Sequence, residues 1–251
     1  ALWRALIMRI VSTIEARMSS TRLPEKTMKE MVGKPMLELI IERLKRARQV
    51  DEIVVATTTE PEDEVITELA ERVGVKWFQG SSEDVLDRVL QAAKAAKADI
   101  IVEMTGDNPL LDPELVDEAI NIYLKDKYDY VSNAIKDTYP DGLNVQVFSV
   151  KVLDEVARIT NDPADRENVS LYIYEHPEKY RLYNMEAPPE FYHPEYRWTI
   201  DTEEDFQFAK AVYENLYYKN HNFSIADIMK LIREKPELAE INAHIKQKSV
   251  R

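Results

Sequence analysis

At 251 residues and 29.2 kDa the chain is long enough to bury a full core, and 45% hydrophobic residues mark it as globular despite 31% charged ones. A formal net charge of −13 and a pI of about 4.9 repel nucleic acid and anionic membranes over most of the surface, so neither is expected as a partner. The absence of cysteine excludes disulfides and thiolate metal sites and points to a cytoplasmic setting.

Residues 1–7 carry no signal-peptide pattern, and no apolar run has the length of a membrane span. Met8 opens a clean strand pattern, so residues 1–7 are expected to be an upstream extension and 8–251 a single domain. Apolar runs at 8–14, 52–57, 75–78, 99–104 and 128–133 read as strands, and helical patterns at 35–48, 62–73, 83–97 and 113–126 lie between them. This alternation predicts βαβ units and a mostly parallel sheet. Pro35 and Pro113 fall near first-turn positions, and Ser81 or Ser82 is placed to cap the segment beginning at Glu83.

After residue 134 the rhythm changes. A loop at 135–143 precedes a strand at 144–148, a helix at 150–159, a polar stretch and a helix at 167–176. A strand at 180–186, a Pro-rich loop at 187–195 and a helix at 203–219 follow, with short helices at about 224–234 and 236–247 closing the chain. In open parallel sheets a ligand sits beyond the carboxyl ends of the strands, and the informative residues fall at such ends.

The first of these ends carries Ala16-Arg17-Met18-Ser19-Ser20-Thr21-Arg22-Leu23-Pro24-Glu25-Lys26. Residues 1–50 hold 11 Lys and Arg against 5 Asp and Glu, so the loop is the centre of a basic stretch in an acidic chain. Arg17 and Arg22 offer planar forks for phosphate oxygens, Lys26 a mobile point charge, and Ser19 and Ser20 hydroxyls and main-chain N–H groups. The competing reading is a solvated basic loop ahead of an amphipathic helix.

Thr105-Gly106-Asp107-Asn108-Pro109 follows the strand at 99–104, and Asp107 there suits a hard-oxygen ligand for Mg²⁺, while Asp112-Pro113 suits a helix cap. In Arg197-Trp198-Thr199-Ile200-Asp201-Thr202, either Asp201 or Thr202 serves as an N-cap, yet a carboxylate at the end of a strand there also reaches toward Asp107 across the sheet. Phosphate-bound magnesium takes one or two protein carboxylates, so the pair suffices. The segments Gly80 to Arg88, Tyr139 to Asn144 and Arg166-Glu167-Asn168 fit a turn, a cap or a surface helix equally well. No dinucleotide or P-loop glycine pattern occurs, and four scattered His residues show neither metal spacing nor a hydrolase triad.

In order, the 16–26 loop, Gly33-Lys34-Pro35-Met36-Leu37, Gly80 to Arg88, Thr105-Gly106-Asp107, Tyr139 to Gly142 and Asp201-Thr202 resemble the cytidylyltransferases of spore coat polysaccharide biosynthesis type, relatives of the CMP-sialic acid and CMP-keto-deoxy-octulosonate synthetases. The resemblance covers about residues 8–215. It implies a Rossmann-like nucleotidyltransferase fold, three-layer α/β/α, with CTP as donor, Mg²⁺ as cofactor, a small-molecule acceptor and a homodimer. It assigns Ala16, Arg17, Ser19, Ser20, Arg22 and Lys26 to the phosphates, Gly80, Asp84 and Arg88 to the nucleotide side, and Asp107 and Asp201 to the metal. It assigns Asp141, Asn144, Arg166 and Glu167 to the acceptor, within an acceptor-facing portion at about 135–200. Asn108 stands where that family commonly has Cys, and Asn168 where it typically has His. These departures leave open transfer to a sugar phosphate or a catalytically silent nucleotide-binding role.

Overall fold

The structure, a computed structural model, describes residues 8–125 and 127–247; the expectation for residues 1–7 falls outside them. In chain order come β1 (Ile10–Glu15), a hairpin of β2 (Glu30–Met31) and β3 (Lys34–Pro35), α1 (Met36–Leu44), β4 (Glu52–Thr58), α2 (Glu64–Val73), β5 (Lys76–Gly80), α3 (Val85–Ala95), β6 (Ile100–Thr105), α4 (Pro113–Tyr123) and β7 (Tyr130–Ser132). β8 (Gln146–Ser149), α5 (Val150–Ile159), α6 (Pro163–Glu167), α7 (Leu171–Glu175), β9 (Leu182–Asn184), α8 (Glu203–Leu216), α9 (Ile225–Glu234) and α10 (Glu237–Glu240) complete it.

Seven strands form one sheet in the order β5-β4-β1-β6-β8-β7-β9. Parallel pairing joins β5, β4, β1 and β6, while β8 runs antiparallel to both β6 and β7, and β9 is parallel to β7. Of these strands only β8 is reversed, so the carboxyl ends of the others share one rim. The mostly parallel α/β/α architecture expected from the sequence is therefore the one observed. From β1 the chain moves outward to β4 and β5, then returns to β6 on β1's other side. That reversal opens a crevice between the ends of β1 and β6.

Side-chain alternation divides the core. Ile10 and Ile14 of β1, with Ile100, Val102 and Met104 of β6, pack with α1, α2, α4, α8 and α9. Ile101 faces the other layer, α3, α5 and α7. Burial on both faces explains the apolar runs Ile53-Val54-Val55-Ala56 of β4 and Ile100-Ile101-Val102 of β6, and in β1 it takes in Ser12 and Thr13 as well.

Several boundaries differ from expectation for local reasons. Pro35 is the N-cap of α1 rather than a first-turn residue, and α3 is capped by Asp84, whose side chain accepts from Asp87 N–H, not by a serine. Ser81 instead accepts from the N–H groups of Glu83 and Asp84. The helix expected at 167–176 is two helices, α6 and α7, because Asn168 ends the first with its side chain on the Ala164 carbonyl at 2.9 Å. Only one turn, α10, forms in the helix expected at 236–247. The β2–β3 hairpin was not anticipated, its two-residue strands being too short for a period to register; Val32 and Gly33 turn it with φ of 49° and 75°.

Candidate active site

The loop after β1 is closed on itself. Glu25 N–H donates to the Met18 carbonyl at 3.1 Å, the Thr27 hydroxyl to the Arg17 carbonyl at 2.8 Å, and Leu23 N–H to Ser20 Oγ at 3.4 Å. Buried Leu23 pins the middle, and the buried Asp63 carboxylate accepts Met18 N–H at 2.6 Å. Asp63 is an anchor that sequence reading missed; its only signal was a carboxylate just before α2. Ala16 is buried at the loop's root, while Arg17, Ser19 and Arg22 are exposed. Glu25 lies in the left-handed region at φ 58°, and the turn it makes precedes Lys26, whose half-buried ammonium points into the crevice.

There Lys26 Nζ donates to the Ile200 carbonyl at 2.7 Å and lies 3.2 Å from Asp201 Oδ1 and 3.6 Å from Asp107 Oδ2. Arg22 Nη2 reaches Asp201 Oδ2 at 3.1 Å. The two aspartates are brought together by the backbone: Ile200 N–H donates to the Asp107 carbonyl at 2.8 Å, stitching the end of β6 to the segment before α8. Gly106 permits the approach, since a Cβ there would stand 2.5 Å from the Glu15 carbonyl. A second close passage is at Gly142, where φ is +110° and a Cβ would meet Thr199 N at 2.4 Å.

Burial alone would raise the Asp201 carboxyl, but Lys26, Arg22 and Arg197 outweigh it and hold it below the usual range. Three hard oxygens, from Ile200, Asp201 and Asp107, thus already surround one cation, the Lys26 ammonium, and this donor chemistry fits Mg²⁺. Among the described residues no group of three or more His, Cys, Asp or Glu forms a metal cluster, so the fit rests on these two carboxylates. Thr202 caps α8 through a capping box with Asp205, so Asp201 is free of that duty. Asp112 caps α4, as expected.

The Gly80 to Arg88 segment meets the loop where Arg17 Nη1 lies 3.5 Å from the Ser82 carbonyl. Gly80 packs closely on Arg88, whose Cγ a Cβ would approach to 3.0 Å. Arg88 itself is only 2% exposed and donates to the Ser81 carbonyl at 2.7 Å, so it braces the segment from beneath rather than presenting a fork to solvent. Below it lie two carboxyls that sequence reading did not single out, Glu15 at the end of β1 and Glu103 on β6. Each keeps one buried oxygen without a partner, as does Arg88 Nε. Burial pushes Glu103 up to about 7, and burial together with Glu103's charge pushes Glu15 well above the carboxylate range, so the pair retains a proton.

The expected acceptor residues separate. Arg166 Nε pairs with Asp84 Oδ2 at 3.2 Å, joining the nucleotide-side segment to α6, while Glu167 is exposed. Asp141 lies beside Arg197 at 3.5 Å; burial, helped by Asp107, Asp137 and Asp201, raises it to about 6 against the opposing Arg197. Asn144 is partly buried two residues before β8. Asn108 is buried inside the Asp107 turn, donating to Thr105 Oγ1 at 2.8 Å. Both departures from the family pattern, Asn108 and Asn168, therefore make local structural bonds.

The strand end expected before Asp201 does not form, since residues 197–200 make only an isolated bridge between Arg197 and Asp141, and Asp201 reaches the rim from that irregular segment. A polycationic loop after the first strand, Asp107 just past β6 and Asp201 beside it, at a topological switch point, belong to an α/β nucleotidyltransferase fold. The chain belongs to the cytidylyltransferase family, whose model matches residues 11–231. It is 38% identical to the uncharacterized protein MJ1063 of Methanocaldococcus jannaschii over 97% of this chain and 98% of that one. It is 34% identical to the spore coat polysaccharide biosynthesis protein SpsF of Bacillus subtilis, over 92% of this chain and 96% of that protein. Among solved structures it resembles a cytidylyltransferase from Leptospira borgpetersenii, with a TM-score of 0.87, 32% identity and coverage of 96% of this chain and 100% of the other. A CMP:2-keto-3-deoxy-manno-octonic acid synthetase complexed with CTP shares the fold, with a TM-score of 0.63 at 18% identity, covering 82% of this chain and 99% of that one.

Proposed function

We propose that the protein transfers CMP from CTP to a sugar acid or a related hydroxyl or phosphate acceptor, releasing pyrophosphate, with Mg²⁺ held by Asp107 and Asp201. The observation that carries this reading is the contact of Lys26 and Arg22 with Asp201. The same cations that would grip a triphosphate neutralise the carboxylate that would face the metal. Arg17, Arg22 and Lys26 would bind the β and γ phosphates and stabilise the departing pyrophosphate. The bound metal would screen the α-phosphate charge and lower the acceptor's proton affinity. Closure of the 16–26 loop on Met18, Arg17 and Asp63 keeps the cations prepositioned, so little ordering remains to be done on binding. The acceptor oxygen would then attack the α-phosphorus in line with the leaving group.

The reading is tested by pyrophosphate release with CTP, UTP, GTP and ATP across sugar acids, sugar phosphates and polyols in the presence of Mg²⁺. CTP-dependent release with at least one of these acceptors is expected. CTP binding without turnover on any of them would favour a silent nucleotide-binding protein.

A further inference from the structure

Residues 242–247, after α10, pack against a buried arginine of the rim. Arg197 is 6% exposed, and its fork is fully committed: Nε to Asp205 Oδ1 at 2.9 Å, Nη2 to Asp201 Oδ2 at 2.7 Å, and Nη1 to Asp141 Oδ2 at 3.5 Å and to Gln247 Oε1. Asn242, 3% exposed, donates through one Nδ2 to the Arg197 carbonyl at 2.8 Å and to Asp205 Oδ1 at 2.9 Å. Asp205 in turn accepts the N–H groups of Asp201 and Thr202 at 3.0 and 3.1 Å on its other oxygen. Two routes thus run from residues 242–247 to Asp201, one from Gln247 through the Arg197 guanidinium to the Asp201 carboxylate and one from Asn242 through Asp205 to the Asp201 N–H, while Asn242 also holds the Arg197 main chain.

The routes matter most when nucleotide is bound. Of the three cations on Asp201, the proposed reaction claims two, Lys26 and Arg22, for phosphate oxygens. Arg197 and Asp205 then remain to hold the carboxylate in place. Residues 242–247 lie beyond the 11–231 span of the family match, so this bracing is a feature that the family match does not itself describe.

We propose that residues 242–247 form a strap that fixes the orientation of Asp201 through Arg197 and Asp205, which makes Arg197 and Asn242 positioning residues for the metal site. The proposal rests on the metal role given to Asp201 above. Partners lying behind metal ligands typically tune affinity by about 10–100-fold, and their loss leaves the ligand itself in place.

The test is Mn²⁺ binding to the full chain with saturating CTP and no acceptor, followed by electron paramagnetic resonance and by calorimetry, alongside the KM for CTP and the Mg²⁺ dependence of turnover. Asn242→Ala and Arg197→Lys are expected to weaken Mn²⁺ binding by about tenfold or more, with CTP affinity in the absence of metal changed less than about threefold and turnover recovering at high Mg²⁺. Asn242→Asp is no rescue, since it loses the donor, whereas Asn242→Gln is expected to restore part of the affinity. Gln247→Ala, at an exposed position, is expected to do less and to leave the unfolding midpoint unchanged, which keeps the test open should Asn242→Ala fold poorly. Wild-type Mn²⁺ affinity in folded Asn242→Ala, or in Gln247→Ala together with Arg197→Lys, would overturn the strap. If the wild-type chain binds no Mn²⁺ that Asp201→Asn removes, the metal site itself is wrong and the strap falls with it.

Discussion

Two carboxyl pairs sit at the same edge of the sheet and are treated in opposite ways by their surroundings. Asp107 and Asp201 face Lys26, with Arg22 and Arg197 also on Asp201, and Asp201 is held ionised. Glu15 and Glu103, on neighbouring strands a few residues away, are buried against each other, with Arg88 opposing the rise at Glu15 but not offsetting its burial, and retain a proton. Chemistry available to a ligand is thus decided by which cations the loops deliver, not by where carboxyls occur in sequence. The aspartate pair is a charge centre reachable from the crevice; the glutamate pair is a buried polar floor beneath it, with one oxygen of each left without a partner.

The contrast breaks most sharply under substitution of the two pairs. Asp107→Asn is expected to lower kcat/KM for CTP by about a hundredfold or more, in line with about 2.7–4 kcal/mol for one lost charged contact in a transition state. Glu103→Gln is expected to lower it less than about tenfold. Steady-state kinetics on both variants, with circular dichroism as a folding control, checks this, and equal losses would erase the distinction.

Much of this was legible beforehand, and what escaped did so for a physical reason. The parallel strands announced themselves because burial on both faces makes their apolar runs continuous, and the Arg17–Lys26 loop stood out as basic residues in an acidic chain. The two-residue strands around Val32-Gly33 were too short to show a period, and α6 and α7 merged in the reading because Asn168 ends a helix through a bond that composition does not reveal. Glu15 and Glu103 read as polar interruptions of strands; only tertiary packing shows them side by side. Arg88 looked like a ligand-facing cation, and burial under Gly80 makes it a brace instead.

The second prediction concerns pH. Both glutamates have folded values above the unfolded 4.5, so the stability they allow is full below about 4.5; Glu103's part is lost as pH rises through about 7, and Glu15 acts in the same direction. Wild-type protein is therefore expected to lose about 2–3 kcal/mol between pH 5 and pH 8 from Glu103, and Glu103→Gln to flatten that slope in urea titrations. A steeper slope in the variant would contradict the assignment. Next comes Thr202→Ala, which removes the α8 cap beside Asp201 and is expected to cost about 1 kcal/mol in chemical denaturation. Smallest is Glu25→Gly, which relieves a left-handed residue and is expected to stabilise the loop by up to about 1 kcal/mol, read as a higher unfolding midpoint.

The account turns on an exchange of partners at Asp201. A crystal structure of the chain with CTP and Mg²⁺ tests it most directly. The expected result has Arg17, Arg22 and Lys26 on phosphate oxygens and the carboxylates of Asp107 and Asp201 on one metal ion beside the α-phosphate. A nucleotide bound elsewhere, with Lys26 still between the two aspartates, would contradict it.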